Sequence, residues 1–228
     1  MKKVILSISA MLLSVVGFAQ ANVSNVDQVG WLNGALVAQV GSSNDSDVFQ
    51  IGLANISVVA QVGDSNETDT NQGGILNIST VTQDGNSNDA YVGQLGLFNV
   101  ATTSQSGDDN DAVTGQLGAF NSASTIQVGS DNSATTLQFL IGNSSDIYQE
   151  GEYNTAGVLQ FGFNNSASTT QLGSWNESNT WQLGFDNSAT TMQDGMGNSA
   201  LTIQLGDSHI STISQAGVGN NAIVYQSN

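Results

Sequence analysis

The sequence predicts an all-β protein, a parallel two-sheet β-solenoid with about 22 residues in each coil. Three observations indicate this fold. Glutamine recurs at every eleventh residue from Gln28 to Gln226, which defines nineteen strand-turn units without insertion or deletion. Every second position of a unit keeps one residue type, and a period of two is that of a β-strand. Glycine and asparagine close each unit, as is typical of turns. Nineteen units make about nine and a half coils.

The first 19 residues lie outside this frame and resemble a secretory signal peptide. Lys2 and Lys3 form a basic start, and residues 4–16 are an apolar run too short to span a membrane. Gly17 and Ala19 are small residues at the positions that a signal peptidase recognises. We therefore predict cleavage after Ala19, which leaves residues 20–228 as a single repeat domain.

The constant positions of each unit are predicted to form the inner face of a strand. Six residues before each glutamine stands asparagine, with His209 as the exception. Four before stands Ala, Ser or Thr, and two before stands Val, Thr or Ile. All nineteen acidic residues occupy other positions, and an isolated carboxylate is costly to bury. Stacked amides can satisfy one another, so we expect structural ladders. Representative ladder positions are Asn22, Gln28, Asn33, Gln39, Asn121, Gln127, Asn132, Gln138, Asn220 and Gln226.

The glycine two residues after each glutamine is predicted to form the turn, with Leu140 and Asn228 as the exceptions. Residues after the glycine alternate between apolar pairs such as Trp31–Leu32 and polar pairs such as Ser42–Ser43. This alternation predicts two unlike half-coils, with one apolar rim and one polar rim. Representative turn glycines are Gly30, Gly41, Gly52, Gly63, Gly118 and Gly129.

The charge balance excludes several classes of partner. Lys2 and Lys3 are the only basic residues, so the predicted mature chain has none. Nucleic-acid binding requires Lys and Arg, and no further apolar run predicts membrane insertion. Cysteine and proline are absent, so no disulfide forms and every backbone N–H can donate a hydrogen bond.

Few residues suggest a catalytic or metal-binding role. His209 is the only histidine, and without a second His or any Cys it predicts neither a catalytic base nor a metal site. The acidic turn 107–111 is compatible with calcium, but the chain lacks the period of nine of calcium-binding solenoids. We therefore expect no cofactor, with calcium as the alternative. Without insertions there is no loop-built groove for catalysis, so an enzyme is not expected.

Outward-facing side chains suggest three further properties. Asp45, Glu67, Asp89 and Asp111 should stack, and like charges about 4.8 Å apart in water repel by roughly 0.9 kcal/mol per pair. We therefore predict that lower pH or divalent cations speed assembly. The aromatic residues are expected to pack along the rim or between filaments rather than bind glycans. They include Trp31, Phe163, Trp175, Trp181 and Phe185. Outward Thr and Ser pairs, from Thr80 and Thr82 to Thr212 and Ser214, leave an ice-binding solenoid as an alternative function.

The unit Asn-x-Ala-x-Val-x-Gln-x-Gly-x-x-Asn resembles the curlin repeat of curli amyloid subunits, over residues 22–228. The resemblance implies export through the outer membrane and polymerisation into fibres on the bacterial surface, for adhesion and the biofilm matrix. It also implies curli-type secretion and nucleator proteins as partners. The absence of basic residues resembles the major subunit, with the nucleator or a surface adhesin of the same fold as the alternative.

Physical reasoning independently predicts polymerisation. The first and last units look like all others, whereas solenoids normally need atypical terminal repeats to stay soluble. Open strand edges template another chain, and a head-to-tail contact that does not close gives a filament. An odd number of half-coils predicts that successive subunits turn by about half a revolution. The predicted polymer ends are Asn22, Val26 and Gln28 at one end, and Asn220, Val224 and Gln226 at the other.

Overall fold

The structure is a computed structural model that describes residues 21–228, so the predicted signal peptide, residues 1–19, lies outside the described residues. Two parallel sheets face each other, one of ten strands and one of nine. The first sheet contains β1 (Val23–Trp31), β3 (Asp45–Leu53), β5 (Glu67–Ile75), β7 (Asp89–Leu97), β9 (Asp111–Ala119), β11 (Ser133–Ile141), β13 (Thr155–Phe163), β15 (Glu177–Phe185), β17 (Ser199–Asp207) and β19 (Asn221–Ser227). The second contains β2 (Gly34–Ser42), β4 (Ile56–Asp64), β6 (Ile78–Asn86), β8 (Val100–Asp108), β10 (Ser122–Ser130), β12 (Ser144–Glu152), β14 (Ser166–Ser174), β16 (Ser188–Met196) and β18 (Ile210–Val218).

Each strand pairs in parallel with the strand two positions further along the chain. The register places every residue beside the residue 22 positions later, so that Val26 meets Val48 and Gln28 meets Gln50. Identical positions of the repeat therefore stack directly on one another. This architecture confirms the predicted all-β parallel two-sheet solenoid with 22 residues per coil.

The strands run further than the sequence suggested. Eighteen of them are nine residues long and continue through the glycine position, which is Leu140 in β11, to the following residue, which leaves two residues for the turn. Backbone hydrogen bonds between coils continue across this corner. Ala54 N donates to Trp31 O at 2.9 Å, and Val23 N donates to Asn44 O at 2.8 Å. Because neighbouring coils have the same shape, the ladder need not break where the chain bends.

The interior is narrow and largely polar. Val59, Val81 and Ala90 are fully buried, and so are the amide-bearing Gln61 and Asn66. The buried apolar residues are mostly Ala and Val, as two closely facing sheets require. The fold therefore depends on interior hydrogen bonds as well as on the burial of apolar surface. Within residues 21–228 no helix is long and apolar enough to cross a membrane.

Some interior hydroxyl groups have no partner, and this predicts opposite effects for two similar substitutions. Ser178 Oγ is buried without a hydrogen bond, whereas Ser145 Oγ lies 3.1 Å from Thr136 Oγ1. Both serines stack between alanines of the coils on either side. We expect Ser178→Ala to stabilise the protein by about 1 kcal/mol and Ser145→Ala to destabilise it by a similar amount. Guanidinium midpoints of the two variants check this, and equal shifts would contradict it.

Candidate functional site: amide columns and open ends

The glutamine side chains form one continuous column in each sheet. Gln105 Nε2 donates to Gln127 Oε1 at 2.9 Å, and Gln127 Nε2 donates to Gln149 Oε1 at 2.9 Å. The same Nε2 also donates to the carbonyl of Asp111 in the opposite sheet, at 2.8 Å. The columns run from Gln28 to Gln226 in the first sheet and from Gln39 to Gln215 in the second. Each glutamine thereby joins both neighbouring coils and both sheets.

The asparagine side chains form two more columns at the corners. Asn132 donates from its backbone N and from Nδ2 to Asn110 Oδ1, at 3.2 and 3.0 Å. Its Nδ2 also donates to the carbonyl of Gly151 in the next coil, at 2.9 Å. Asn121 makes the equivalent bonds to Asn99 and to Leu140 O. The asparagine columns therefore hold the corners in register.

The two kinds of column point in opposite directions. Glutamine Nε2 donates toward higher residue numbers, for example from Gln116 to Gln138. Asparagine Nδ2 donates toward lower numbers, for example from Asn132 to Asn110. The two ends of the rod are therefore unlike and carry complementary groups.

The described residues leave complementary hydrogen-bonding groups open at the two ends. At the β1 end, Asn22 Nδ2 is buried without a partner. The glutamine columns begin there with Gln28 and Gln39, whose Oε1 atoms accept from no residue in the described part of the chain. At the other end, Asn220 donates to Asn198 Oδ1, while its own Oδ1 accepts from no residue in the described part of the chain. Gln226 is the last glutamine of its column, and its Nε2 donates to Ile210 O at 2.9 Å. Stacking head to tail brings donors onto acceptors, whereas head-to-head stacking would oppose like groups.

The rod ends contain more residues than the sequence reasoning selected. Asn22, Val26 and Gln28 lie on or beside β1, and Asn220, Val224 and Gln226 lie on or beside β19. Since each strand pairs two positions along the chain, β2 and β18 are edge strands too. The hidden period of 22 already implied two strands at each end, so this signal was available in the sequence.

His209 occupies the last rung of the asparagine column that begins at Asn33. Its backbone N donates to Asn187 Oδ1 at 3.1 Å, as an asparagine in the column would. Its ring Nε2 lies 3.1 Å from the carbonyl of Leu205. Within residues 21–228 no group of three or more His, Cys, Asp and Glu side chains could hold a metal ion. The imidazole is thus part of a structural column.

The glycines at the corners approach the next coil too closely for a side chain. Gly63 has φ 116°, and a Cβ there would lie 1.9 Å from the carbonyl oxygen of Gly85. The predicted turn positions Gly30, Gly41, Gly52, Gly118 and Gly129 also have positive φ, and a Cβ on any of them would lie within 2.0 Å of a carbonyl oxygen in the next coil. In one unit Leu140 replaces the corner glycine, with φ 78°, and Gly142 lies two residues later with φ 73°.

The sequence reasoning missed a second strained position, immediately before each asparagine. Leu32, Phe98 and Trp175 have φ of 58°, 56° and 59°, in the left-handed region that side chains rarely adopt. This position holds no Val, Ile or Thr in any unit, although the chain is rich in them. Because β-branched residues are the least tolerant of positive φ, their absence was the signal.

Aromatic residues stack along the corners, on both rims of the solenoid. On the first rim, which follows the strands of the ten-stranded sheet, Phe98 and Phe120 stack at 5.1 Å. On the second rim, Tyr153 and Trp175 stack at 4.4 Å. The first rim ends in a polar pair, residues 207–208, and the second ends with Met196 and Val218. Phe163 and Phe185 still stack on the first rim, at 5.1 Å, beside Tyr153 and Trp175 on the second. The prediction of one apolar and one polar rim is therefore wrong beyond residue 152, where both rims carry aromatic residues and the last coil reverses their character.

The predicted acidic column lies on the outer face of the ten-stranded sheet. Asp45, Glu67, Asp89 and Asp111 are direct partners on β3, β5, β7 and β9. Repulsion from Asp89 is the largest cause that raises the pKa of Glu67 above its ordinary value. Partial burial raises the pKa of Asp89 and Asp111. Glu67, Asp89 and Asp111 therefore hold their protons more tightly in the folded chain than in the unfolded chain.

These raised pKa values predict that stability falls as the pH rises above the ordinary pKa values, 3.8 for Asp89 and Asp111 and 4.5 for Glu67. Glu67→Gln removes the central charge, so it should speed assembly at neutral pH and weaken its dependence on pH. Glu177→Gln is the matched control, because Glu177 stacks between the uncharged Thr155 and Ser199. Lag times between pH 4 and 8 test this, and equal effects of the two variants would contradict it.

The hydroxyl pairs considered for ice binding align over few coils. Thr80 and Thr82 stack on Thr102 and Ser104 of β8. The next strand, β10, places Ile126 beside Ser104 and interrupts the array. Thermal hysteresis would separate this function from fibre formation.

Comparison with known proteins identifies the repeat. Four segments match the curlin associated repeat, residues 63–96, 107–139, 142–173 and 184–217, and together they cover more than half of the chain. No curated protein and no solved structure matches the chain. The match confirms the resemblance to curlin repeats, a structural and generally non-enzymatic family. The chain belongs to the curlin associated repeat family.

Proposed function

We propose that this protein is a secreted subunit that assembles head to tail into curli-type amyloid fibres on the bacterial surface. The predicted signal peptide, residues 1–19, directs export, and residues 20–228 form the repeat domain. The fibres contribute to adhesion and the biofilm matrix. The partners are further copies of the chain together with secretion and nucleator proteins of the curli type. Family membership and the lack of basic residues in the repeat domain support the role of the major, fibre-building subunit.

The open and complementary ends of the solenoid carry this proposal. Each end exposes two strand edges whose backbone groups can pair with another chain. Inward-facing residues are less buried at the ends than in the middle of the solenoid. Ser24 is exposed, for example, whereas Ser46 in the next coil is fully buried. Asn22 Nδ2 lacks an acceptor, although the equivalent amide of Asn44 donates to Asn22 Oδ1. A second copy would extend both sheets and supply these missing contacts.

Seeded assembly tests the proposal. Residues 20–228 are diluted from denaturant, and dye fluorescence and negative-stain electron microscopy follow the reaction with and without preformed seeds. We expect fibres after a lag that seeds shorten. A chain that remains a monodisperse rod would contradict self-assembly.

Two edge substitutions sharpen the test. Val224→Lys places an inward-facing charge on the terminal strand β19, and inward charges block edge pairing. Ile223→Lys is the matched control, since Ile223 is the neighbouring outward residue on the same strand. We expect Val224→Lys monomers to slow the growth of seeds at least tenfold, with a smaller effect of Ile223→Lys. Equal growth rates would show that β19 is not a growing edge.

A further inference from the structure

We propose a specific half-turn junction between successive subunits, which rests on the proposed self-assembly. In this junction β1 of one copy lies on β18 of the preceding copy, and β2 lies on β19. The offset of 22 residues then continues across the boundary. Val26 pairs with Ile213, Gln28 with Gln215, and Gln39 with Gln226. The ten-stranded sheet of one copy thus continues the nine-stranded sheet of the next.

The odd strand number makes the two possible junctions unequal. If β1 instead lay on β19, the first sheet would continue. The second sheet would then lack one strand between β18 and β2, which leaves two rows of backbone groups unpaired inside the filament. Unpaired buried backbone groups are rare in proteins because each is costly. The half-turn junction pairs all four edge strands.

Exposed apolar side chains at the two ends match only in the half-turn register. Among the most exposed large apolar residues are Trp31 at 79%, Ile210 at 74%, Val218 at 73% and Ile223 at 67%. The half turn places Val218 on Trp31, Ile210 on Val23, and Ile223 on Leu36. The alternative junction places Ile223 on Asn25 and Tyr225 on Asp27. It also leaves Ile210 and Val218 beside the missing strand.

The corner residues at the two ends of the solenoid also favour the half-turn junction. After a half turn, Trp175, Met196 and Val218 of one copy are followed by Trp31 and Leu53 of the next. The opposite corner, whose last pair is Asp207 and Ser208, continues to Ser42 and Asp64. Apolar residues therefore continue apolar residues at one corner, and polar residues continue polar residues at the other. In the alternative junction the exposed Trp31 would continue the corner whose last pair is Asp207 and Ser208.

The asparagine columns also distinguish the two junctions. The half turn lets Asn33 donate to Asn220 Oδ1 and brings Asn22 onto His209. When His209 Nε2 donates to Leu205 O, ring Nδ1 carries the free lone pair and can accept from Asn22. The alternative junction gives Asn22 an acceptor on Asn220 but leaves Asn33 facing the missing strand.

Engineered cysteines test the register, because the native chain contains none. Leu36→Cys with Ile223→Cys reports the half-turn junction, and Asn25→Cys with Ile223→Cys reports the alternative. Paired residues of neighbouring strands lie about 4.8 Å apart, within the range for a disulfide. Leu201→Cys with Ile223→Cys is the positive control, because these residues are partners within one subunit. Oxidised fibres are dissolved in denaturant and separated on non-reducing gels.

We expect covalent multimers from the Leu36–Ile223 pair, monomers from the Asn25–Ile223 pair, and an intramolecular disulfide in the control. Multimers from the Asn25 pair, or from neither pair while the control oxidises, would overturn the junction. Fibres from any variant keep the proposed function intact in that case. A failure of the native chain to form fibres would instead overturn the proposed function, and the junction with it.

Discussion

Gly63→Ala is expected to destabilise the solenoid by roughly 3 kcal/mol or more and to abolish seeded growth at neutral pH. The new Cβ would lie 1.9 Å from the carbonyl oxygen of Gly85, which is backbone that cannot swing away. Its φ of 116° adds strain that no L side chain avoids. Relief requires the neighbouring coil to move, and that coil is hydrogen-bonded to the next. The guanidinium midpoint and the rate of growth from native seeds measure the effect.

Two further variants separate this clash from a general cost of losing glycine. Gly34→Ala meets no atom within 4 Å, so it should leave stability nearly unchanged. Gly63→Ala combined with Ser65→Gly copies the native arrangement of Leu140 and Gly142, so it should recover part of the loss. Equal destabilisation by Gly34→Ala would contradict the steric explanation.

Gln127→Glu should destabilise the protein by roughly 3–5 kcal/mol near neutral pH, as expected when a buried charge lacks a partner. Gln127 is fully buried, and its Nε2 donates to Asp111 O, Asn132 O and Gln149 Oε1. A carboxylate cannot donate, so these three acceptors would face negative charge. Burial raises the pKa of such a carboxyl, so the folded state favours the protonated form. The loss should therefore shrink as the pH falls toward about 4.3, the ordinary pKa of glutamate.

Ile126→Glu is the control for this experiment, because residue 126 faces outward on the same strand. It adds the same charge without burying it, so its effect on stability should stay below about 1 kcal/mol. Guanidinium unfolding at pH 7 and pH 4 compares the two variants. A Gln127→Glu variant that is as unstable at pH 4 as at pH 7 would contradict the assignment to buried charge.

Much of the fold could be predicted because each inner position accepts few side chains. Residues such as Val59 and Gln61 recur in one register, and a slip by one residue would bury the acidic positions. The period of 22 then followed from the alternation of corners such as Trp31–Leu32 and Ser42–Ser43. The change in the rims could also have been predicted, because Tyr153, Trp175 and Met196 place large apolar side chains on the second rim.

Other features of the site could not be read from residue types. An amide carries a donor and an acceptor, so the sequence does not say whether Gln127 donates toward Gln105 or toward Gln149. The strand extension through Gly63 depends on the matching shape of the neighbouring coil. The positive φ of Leu32 and Phe98 contradicts their intrinsic preference, and the corner geometry imposes it on whichever residue stands there. In the sequence, only the absence of β-branched residues at this position indicated the positive φ.

The opposite directions of the amide columns have a consequence for filament length. Aligned amide groups add their dipoles, and in an α-helix the sum amounts to a partial charge at each end. Here each coil adds two glutamine amides in one direction and two asparagine amides in the other, as Gln116–Gln138 and Asn132–Asn110 illustrate. The two contributions oppose each other along the rod axis. Lengthening the rod, by a coil or by a whole subunit, therefore builds up little axial field, and elongation meets no growing electrostatic resistance from its own interior.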